Sequence, residues 1–309
     1  MDEFQCHRVL IMKEELQRFI SNSRPFVWKC HFAAPLPKVL ISLYRLALIF
    51  KELHSLTSGT LKGNPGLNFR RFFLCLGCIA VSNVFLEMFS AVKAAYHISA
   101  FSWYAFIVNC LAAKDGEDLP AGIFVYGGPW KYLTFLNLLL QMTFFGLAAV
   151  NDLQPGKQTE SPLKKCNDFL FSVFGFPVGM FVVLLFWTIF AYDRELVYPA
   201  SIDSFFPPWI NHAMHTFVLP ISLGELLVQP HTYPQQKHAL AALTLVGLAY
   251  LSWILWVYVS VGVWVYPLLG HFSPAGLAAF FFFNMSVVTL LYTLGDKLNS
   301  LVWRKEKAN

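Results

Sequence analysis

Apolar residues occur along this chain in long uncharged tracts joined by short polar connections. Five tracts stand out, at 94–113, 132–151, 169–192, 204–224 and 238–295, and the last contains no Asp, Glu, Lys or Arg. About 20 apolar residues suffice to cross a bilayer as a helix, so the last tract holds two crossings. It divides at GVWVYPLLGHFSP, where Pro267 and Pro274 punctuate the run and the aromatic residues suit a membrane interface. The pattern predicts an all-α polytopic membrane bundle of six transmembrane helices, near 94–113, 132–151, 169–192, 207–227, 239–260 and 274–294.

Lys and Arg mark the cytoplasmic side of such a bundle. With the N-terminus inside, the inner connections and C-terminal tail carry Lys93, Lys157, Lys164, Lys165, Lys237, Lys297, Arg304, Lys305 and Lys307, against Lys114, Lys131 and Arg194 outside. Both termini are therefore expected in the cytoplasm. The apolar run 72–90 is read as interfacial or poorly ordered, because a seventh span there would put the basic N-terminal segment outside and bury Glu87. The stretch 36–50 contains Arg45 and is too short to span; it reads as an amphipathic surface helix.

Composition sharpens this picture. Of the 309 residues, 56% are hydrophobic, 17% aromatic and only 13% charged, too few charges to coat a soluble globule. Residues 1–71 carry a net +6 and residues 72–309 a net −1, so the overall +5 belongs to the N-terminal quarter. The basic residues are not interleaved with a nucleic-acid module, which excludes that class of partner. The six cysteines are scattered; they form neither a disulfide framework nor a zinc ribbon, and the lone CLGC at 75–78 takes no metal or redox role. MDEFQCHR is charged with no apolar run behind it, so no secretory signal pattern opens the chain.

In lipid, the informative residues are the polar ones, which face the protein interior and are functional candidates. In the second span Thr134, Asn137 and Gln141 fall at about 0°, 300° and 340° on a helical wheel, one stripe. In the fourth, Asn211, His212, His215, Ser222 and Glu225 form another, with Asn211 and Ser222 within about 40° of His215. Thr134 lies about 5 Å past Lys131 and His215 about 9 Å past Trp209, both entering from the outer face, so the two sit at similar depth. A hydroxyl and an imidazole at one level can act as nucleophile and base. Two plainer readings stand beside this one: a membrane threonine bonded to its own preceding carbonyl, and a histidine serving only as an interhelical donor. A metal or haem pair at His212 and His215 ranks below catalysis, since His7, His31, His54, His97, His231, His238 and His271 lie at tails, ends or the opposite face. Pro220 releases the carbonyl of Thr216 and should kink the helix just below His215. Asp193, Arg194, Glu195 and Asp203 read as a solvated loop, and the sequon at Asn284 lies inside a span and should stay unglycosylated.

Several runs also carry a resemblance: PWKYLTFLNLLLQ (129–141), FPVGMFVVLLFWTIFAYDRELVYP (176–199), PPWINHAMHTFVLPISLGELL (207–227), HTYP (231–234), WVYP (264–267) and LYTLGDKLN (291–299). In this order they resemble the androgen-induced family of six-span membrane proteins, over residues 88–309. Chains of that family begin near Met88, so residues 1–87 read as a basic extension that the resemblance does not cover. The resemblance implies a threonine hydrolase acting on fatty acid esters of hydroxy fatty acids, with Thr134 and His215 as the catalytic residues. Asn137 and Asn211, each one turn from a catalytic residue, are the candidates for oxyanion donation or support. The implied substrate is a lipid ester that enters sideways from the bilayer, with no metal, nucleotide or other cofactor, and the implied location is the plasma membrane. The rival is a non-enzymatic transporter or scaffold whose polar stripes merely hold helices together.

Overall fold

A computed structural model describes residues 66–113, 126–154 and 161–303, with side chains from Glu87 onward. The stretch 36–50, the cysteines of CLGC and the connections at 114–125 and 155–160 lie outside the described residues or side chains.

Helix α1 runs Gly66–Ala112 as one rod of 47 residues, about 70 Å long. The tract 72–90 is thus not a separate interfacial element; it continues directly into the first expected span. The reason is local: no proline interrupts 66–112, and beyond Gly77 no glycine does either. A turn through Gly127 and Gly128, both at positive φ, feeds a short 3₁₀ segment, Gly128–Lys131, and then α2, Leu133–Leu153.

Helix α3, Pro162–Phe169, starts with Ser161 as its cap, the hydroxyl accepting from the Lys164 amide at 3.0 Å, and Pro162 in the first turn, where its missing N–H costs nothing. It passes through a π-helical turn, Leu170–Gly175, into α4, Phe176–Tyr192, without a break. Pro177 explains the π turn, because its ring cannot donate to, and clashes with, the carbonyl four residues earlier. The last carbonyl of the turn, that of Gly175, accepts from Gln141 Nε2 at 2.8 Å. The third helical unit therefore begins seven residues before the expected 169, at Pro162.

The fourth expected span is two helices, α5, Pro208–His215, and α6, Val218–Val228. The break falls at Thr216 and Phe217, where Pro220 requires it. The Thr216 carbonyl, which Pro220 cannot bond, accepts from Leu219 N at 3.1 Å instead. Helices α7, Gln236–Val261, and α8, Pro274–Trp303, complete the bundle; Gly262 at φ 72° closes α7 by donating to Tyr258 O at 2.7 Å.

Among the described residues there is no strand, and four helical units are long and apolar enough to cross a membrane: α2, the joined α3 and α4, α7 and α8. The core gathers around α2 and α4, with Tyr104, Phe144, Phe145, Phe171 and Phe176 buried. The outer faces are apolar as well: Val259 is 79% and Phe282 78% exposed. Such surfaces need a lipid rather than an aqueous solvent.

Candidate active site

Thr134 is the second residue of α2. A threonine in a first turn has no carbonyl of its own helix to bond, and its hydroxyl turns instead to His215: Oγ1 and Nε2 are 3.1 Å apart. The polarity of that contact is set from the far side of the ring. His215 Nδ1 donates to Asn211 Oδ1 at 2.8 Å and faces the Asn211 carbonyl at 3.0 Å, so the proton sits on Nδ1 and Nε2 presents its lone pair to the Thr134 hydroxyl. The imidazole is clamped as well as oriented. Phe186 stacks on it with centroids 3.5 Å apart and an 8° interplanar angle, and Trp187 Nε1 donates to the His215 carbonyl at 3.0 Å.

The structure therefore brings Thr134, His215 and Asn211 into one hydrogen-bonded row, with α2 supplying one member and α5 the other two. Asn137, one turn below Thr134, stands in another environment. Its Oδ1 accepts from Gln141 Nε2 at 3.3 Å, and its buried Nδ2 has no partner among the described residues. Thr134 and Asn137 both line a cavity of about 740 Å³ walled by α2, α4, α7 and α8. That volume is in the range of small-molecule sites, and the lining is almost wholly apolar, including Val178, Phe181, Leu251 and Val288. Beside the start of α2 the cavity is lined by a hydrogen-bonded cap: Tyr250 donates to Lys131 O at 3.0 Å and meets the Tyr266 hydroxyl at 3.2 Å, and Leu133 N donates to Tyr266 at 3.0 Å. Lys131 is buried beside this cap, and desolvation pushes its ammonium below the ordinary lysine value.

His212 does not join the row; its Nδ1 faces Thr216 Oγ1 at 3.0 Å and its ring stacks on Trp187. Among the described residues no cluster of three or more His, Cys, Asp or Glu has metal-holding geometry. The loop after α4 bonds to itself: Arg194 Nη2 donates to Asp203 Oδ2 at 2.8 Å, and Ala200 N to Glu195 Oε1 at 2.9 Å. The imidazole is thus oriented by an amide, Asn211, and by no carboxylate of that loop.

A second polar assembly, at the opposite end of α2, was missed in the sequence. Lys93 and His97 on α1, Asp152 on α2, Glu225 on α6, His231 in the segment after it, and Asp168 and Lys164 on α3 form a continuous chain of alternating charge types. The contacts in order are 2.6 Å (Lys93 to Asp152), 2.6 Å (Asp152 to His97), 2.9 Å (His97 to Glu225), 2.9 Å (Glu225 to His231), 3.0 Å (His231 to Asp168) and 2.5 Å (Asp168 to Lys164). Both nitrogens of each histidine face carboxylates, so every one of these contacts must hold a proton. Asn299 on α8 locks His231 further, accepting from its amide at 3.0 Å and donating to its carbonyl at 2.9 Å. His97 and His231, assigned to ends or the opposite face, are in fact fully interior. The available signal was the set of carboxylates Asp152, Asp168 and Glu225 in or beside apolar runs, which demands cationic partners.

The model of the FAR-17a/AIG1-like protein family matches residues 92–300. The chain belongs to that family. Among curated relatives, the human androgen-dependent TFPI-regulating protein is 42% identical over 212 residues, 67% of this chain and 92% of the relative. The rat protein of the same name is 43% identical over 213 residues, covering 67% and 92% respectively. Human androgen-induced gene 1 protein is 41% identical over 193 residues, 59% of this chain and 81% of its own length. No solved structure matches. The matched region of the family model contains every residue of the row and of the buried ionic chain, so both belong to the family's part of the molecule.

Proposed function

We propose that this protein is a membrane-embedded threonine hydrolase that cleaves fatty acid esters of hydroxy fatty acids to a fatty acid and a hydroxy fatty acid. The observation that carries the reading is the Thr134, His215, Asn211 row opening onto an apolar cavity. The substrate class follows from the family resemblance together with the apolar lining.

In this reading Thr134 Oγ1 attacks the ester carbonyl as its proton passes to His215 Nε2. The tetrahedral intermediate places its negative oxygen near the start of α2, where the first-turn amides lack helical acceptors and Asn137 Nδ2 is free to donate. Collapse breaks the ester C–O bond, the Nε2 proton goes to the departing alkoxide, and a hydroxy fatty acid leaves. Water, deprotonated by the same nitrogen, then attacks the acyl-threonine and releases the fatty acid, restoring the Thr134 hydroxyl. Asn211 holds the imidazole in the tautomer that each half-reaction needs. No cofactor enters any step.

The reading includes six crossings with both termini cytoplasmic, in the plasma membrane. The C-terminal part of α1 and the joined α5 and α6 add two to the four long apolar helices. Residues 208–228 trace about 32 Å when measured along the helical path, close to the thickness of a hydrocarbon core.

The test is ester turnover and labelling by a fluorophosphonate probe, in membranes, of wild type against Thr134→Ala, Thr134→Ser and His215→Ala. Thr134→Ala and His215→Ala should lose both signals while inserting normally, and Thr134→Ser should keep both. Wild-type turnover by Thr134→Ala would sink the mechanism, and absence of both turnover and labelling in the wild type would favour a scaffold or transporter.

A further inference from the structure

The seam between α7 and α8 has features that the row of Thr134, His215 and Asn211 does not use. Thr244, Phe282 and Met285, which line the 740 Å³ cavity, also line a second cavity of about 380 Å³. This second space is walled by α7 and α8 alone, and its rim faces outward, with Phe282 78% and Leu290 66% exposed. The large cavity and the outer surface of the bundle are therefore separated at this seam by only a few shared side chains.

Two stretches of the cavity wall are held very differently. At the start of α2 the tyrosine cap is bonded to the backbone of Lys131 and Leu133. Among the described residues, by contrast, no hydrogen bond or ion pair joins α7 to α8. Their polar side chains there bond to their own helices, Ser286 to Phe282 O at 3.0 Å and Thr289 to Met285 O at 2.9 Å. The helices approach closely at Gly247, where a Cβ would stand 2.7 Å from Met285 Sδ. The thioether arm that fills this gap turns about several single bonds, so it can swing aside without moving backbone.

We propose that the α7–α8 seam is the acyl-chain portal: a fatty acyl chain of the ester passes from the bilayer over Gly247, displaces Met285, and lies in the apolar cavity with its ester carbonyl at Thr134. This rests on the hydrolase reading above. The occupant is a hydrocarbon chain rather than a polar molecule, because the path from rim to cavity is walled mainly by Leu, Phe, Met and Val; its polar groups are the hydroxyls of Thr244, Ser286 and Thr289 and the carboxamide of Asn284, whose Nδ2 is already bonded to Phe280 O at 2.9 Å. A chain moving from lipid tails to such walls exchanges one apolar surrounding for another, so entry carries little desolvation cost.

The experiment compares esters of one alcohol that differ only in acyl length, acetyl against hexadecanoyl, with the full chain in proteoliposomes. Gly247→Leu should lower kcat/KM for the long ester at least about tenfold relative to the acetyl ester, and an unchanged ratio overturns the portal. Should Gly247→Leu fail to accumulate, Met285→Ala carries the opposite expectation, a ratio raised in favour of the long ester, and an unchanged ratio again refutes the proposal. Occupancy is read independently of turnover by photolabelling the Thr134→Ala protein with an ester whose hexadecanoyl tail bears a diazirine. Label on 244–247 and 282–290 supports the portal, and label confined to other helices overturns it. If Thr134→Ala itself keeps turnover, the hydrolase reading fails separately from this result.

Discussion

Replacing Asn211 with Ala tests whether the row works as a unit. The substitution removes the Oδ1 acceptor 2.8 Å from His215 Nδ1 but leaves the backbone carbonyl of residue 211 at 3.0 Å, so one of two acceptors is lost. A hydrogen bond to neutral imidazole is worth about 1 kcal/mol and one to a charged group about 1.5–3 kcal/mol. The imidazole is neutral before attack and charged in the transition state, so the differential loss is about 0.5–2 kcal/mol. At about 1.4 kcal/mol per tenfold, kcat should fall by roughly 2- to 30-fold. Asn211 does not line the cavity, so KM should hardly change. The assay is steady-state ester hydrolysis in proteoliposomes together with the rate of fluorophosphonate labelling, which also needs an activated hydroxyl and should fall in step with kcat. Unaltered kcat and labelling would reduce Asn211 to a helix-packing residue. A loss as complete as that of Thr134→Ala would mean that its side chain touches the reacting atoms, and the orienting role would be wrong.

Glu225→Ala leaves two histidines without their shared carboxylate and should destabilise the bundle by about 3–5 kcal/mol, seen as a lower thermal aggregation midpoint in detergent. Glu225 lies ten residues, about 15 Å, from His215, so turnover per folded molecule should persist; a selective loss of kcat with unchanged stability would contradict the separation of the two assemblies. Pro220→Ala restores a donor to the Thr216 carbonyl and permits a straight helix, so kcat should drop at least about tenfold as His215 leaves Thr134, with no loss of thermal stability; full activity would show that the break is dispensable. Gly179→Ala puts a methyl 2.9 Å from Gln141 Nε2 and 3.1 Å from Val218, which should cost about 1–3 kcal/mol in thermal unfolding experiments.

The pairing of Thr134 with His215 was legible in the sequence because helical periodicity and depth are both linear in residue number. Two stripes on helices entering from one face can be set level by counting. Asn211 was visible too, yet its task was not, because the wheel places it near His215 without saying which atom faces the ring. Counting foresaw the break at Pro220 but not the π turn at 170–175, because a proline such as Pro177 can be met by a break or by one wider turn and residue spacing does not choose between them. Among the described residues four helices are long and apolar enough on their own; of the other two predicted crossings, one is broken in two and the other, 94–113, is diluted by His97, Ser99, Ser102 and Asn109. The chain from Lys93 to Lys164 was illegible for a different reason: its members come from five segments up to 138 positions apart, and no local period links them.

That chain also constrains how the polypeptide is made. His97 and Asp152 leave the ribosome well before Glu225 and His231, so the first helices enter the membrane with ionisable groups that pair with each other and with Lys93 but have no counterpart beyond. The circuit closes only when the segment around 225–231 arrives, and Asn299, near the end of the chain, seals it last. A chain truncated before 225 should therefore be less stable in the membrane than one completed to 299, as a pulse-chase comparison of the two would show. The contacts that bind the helices together are complete only once the segment bearing Asn299 is in place.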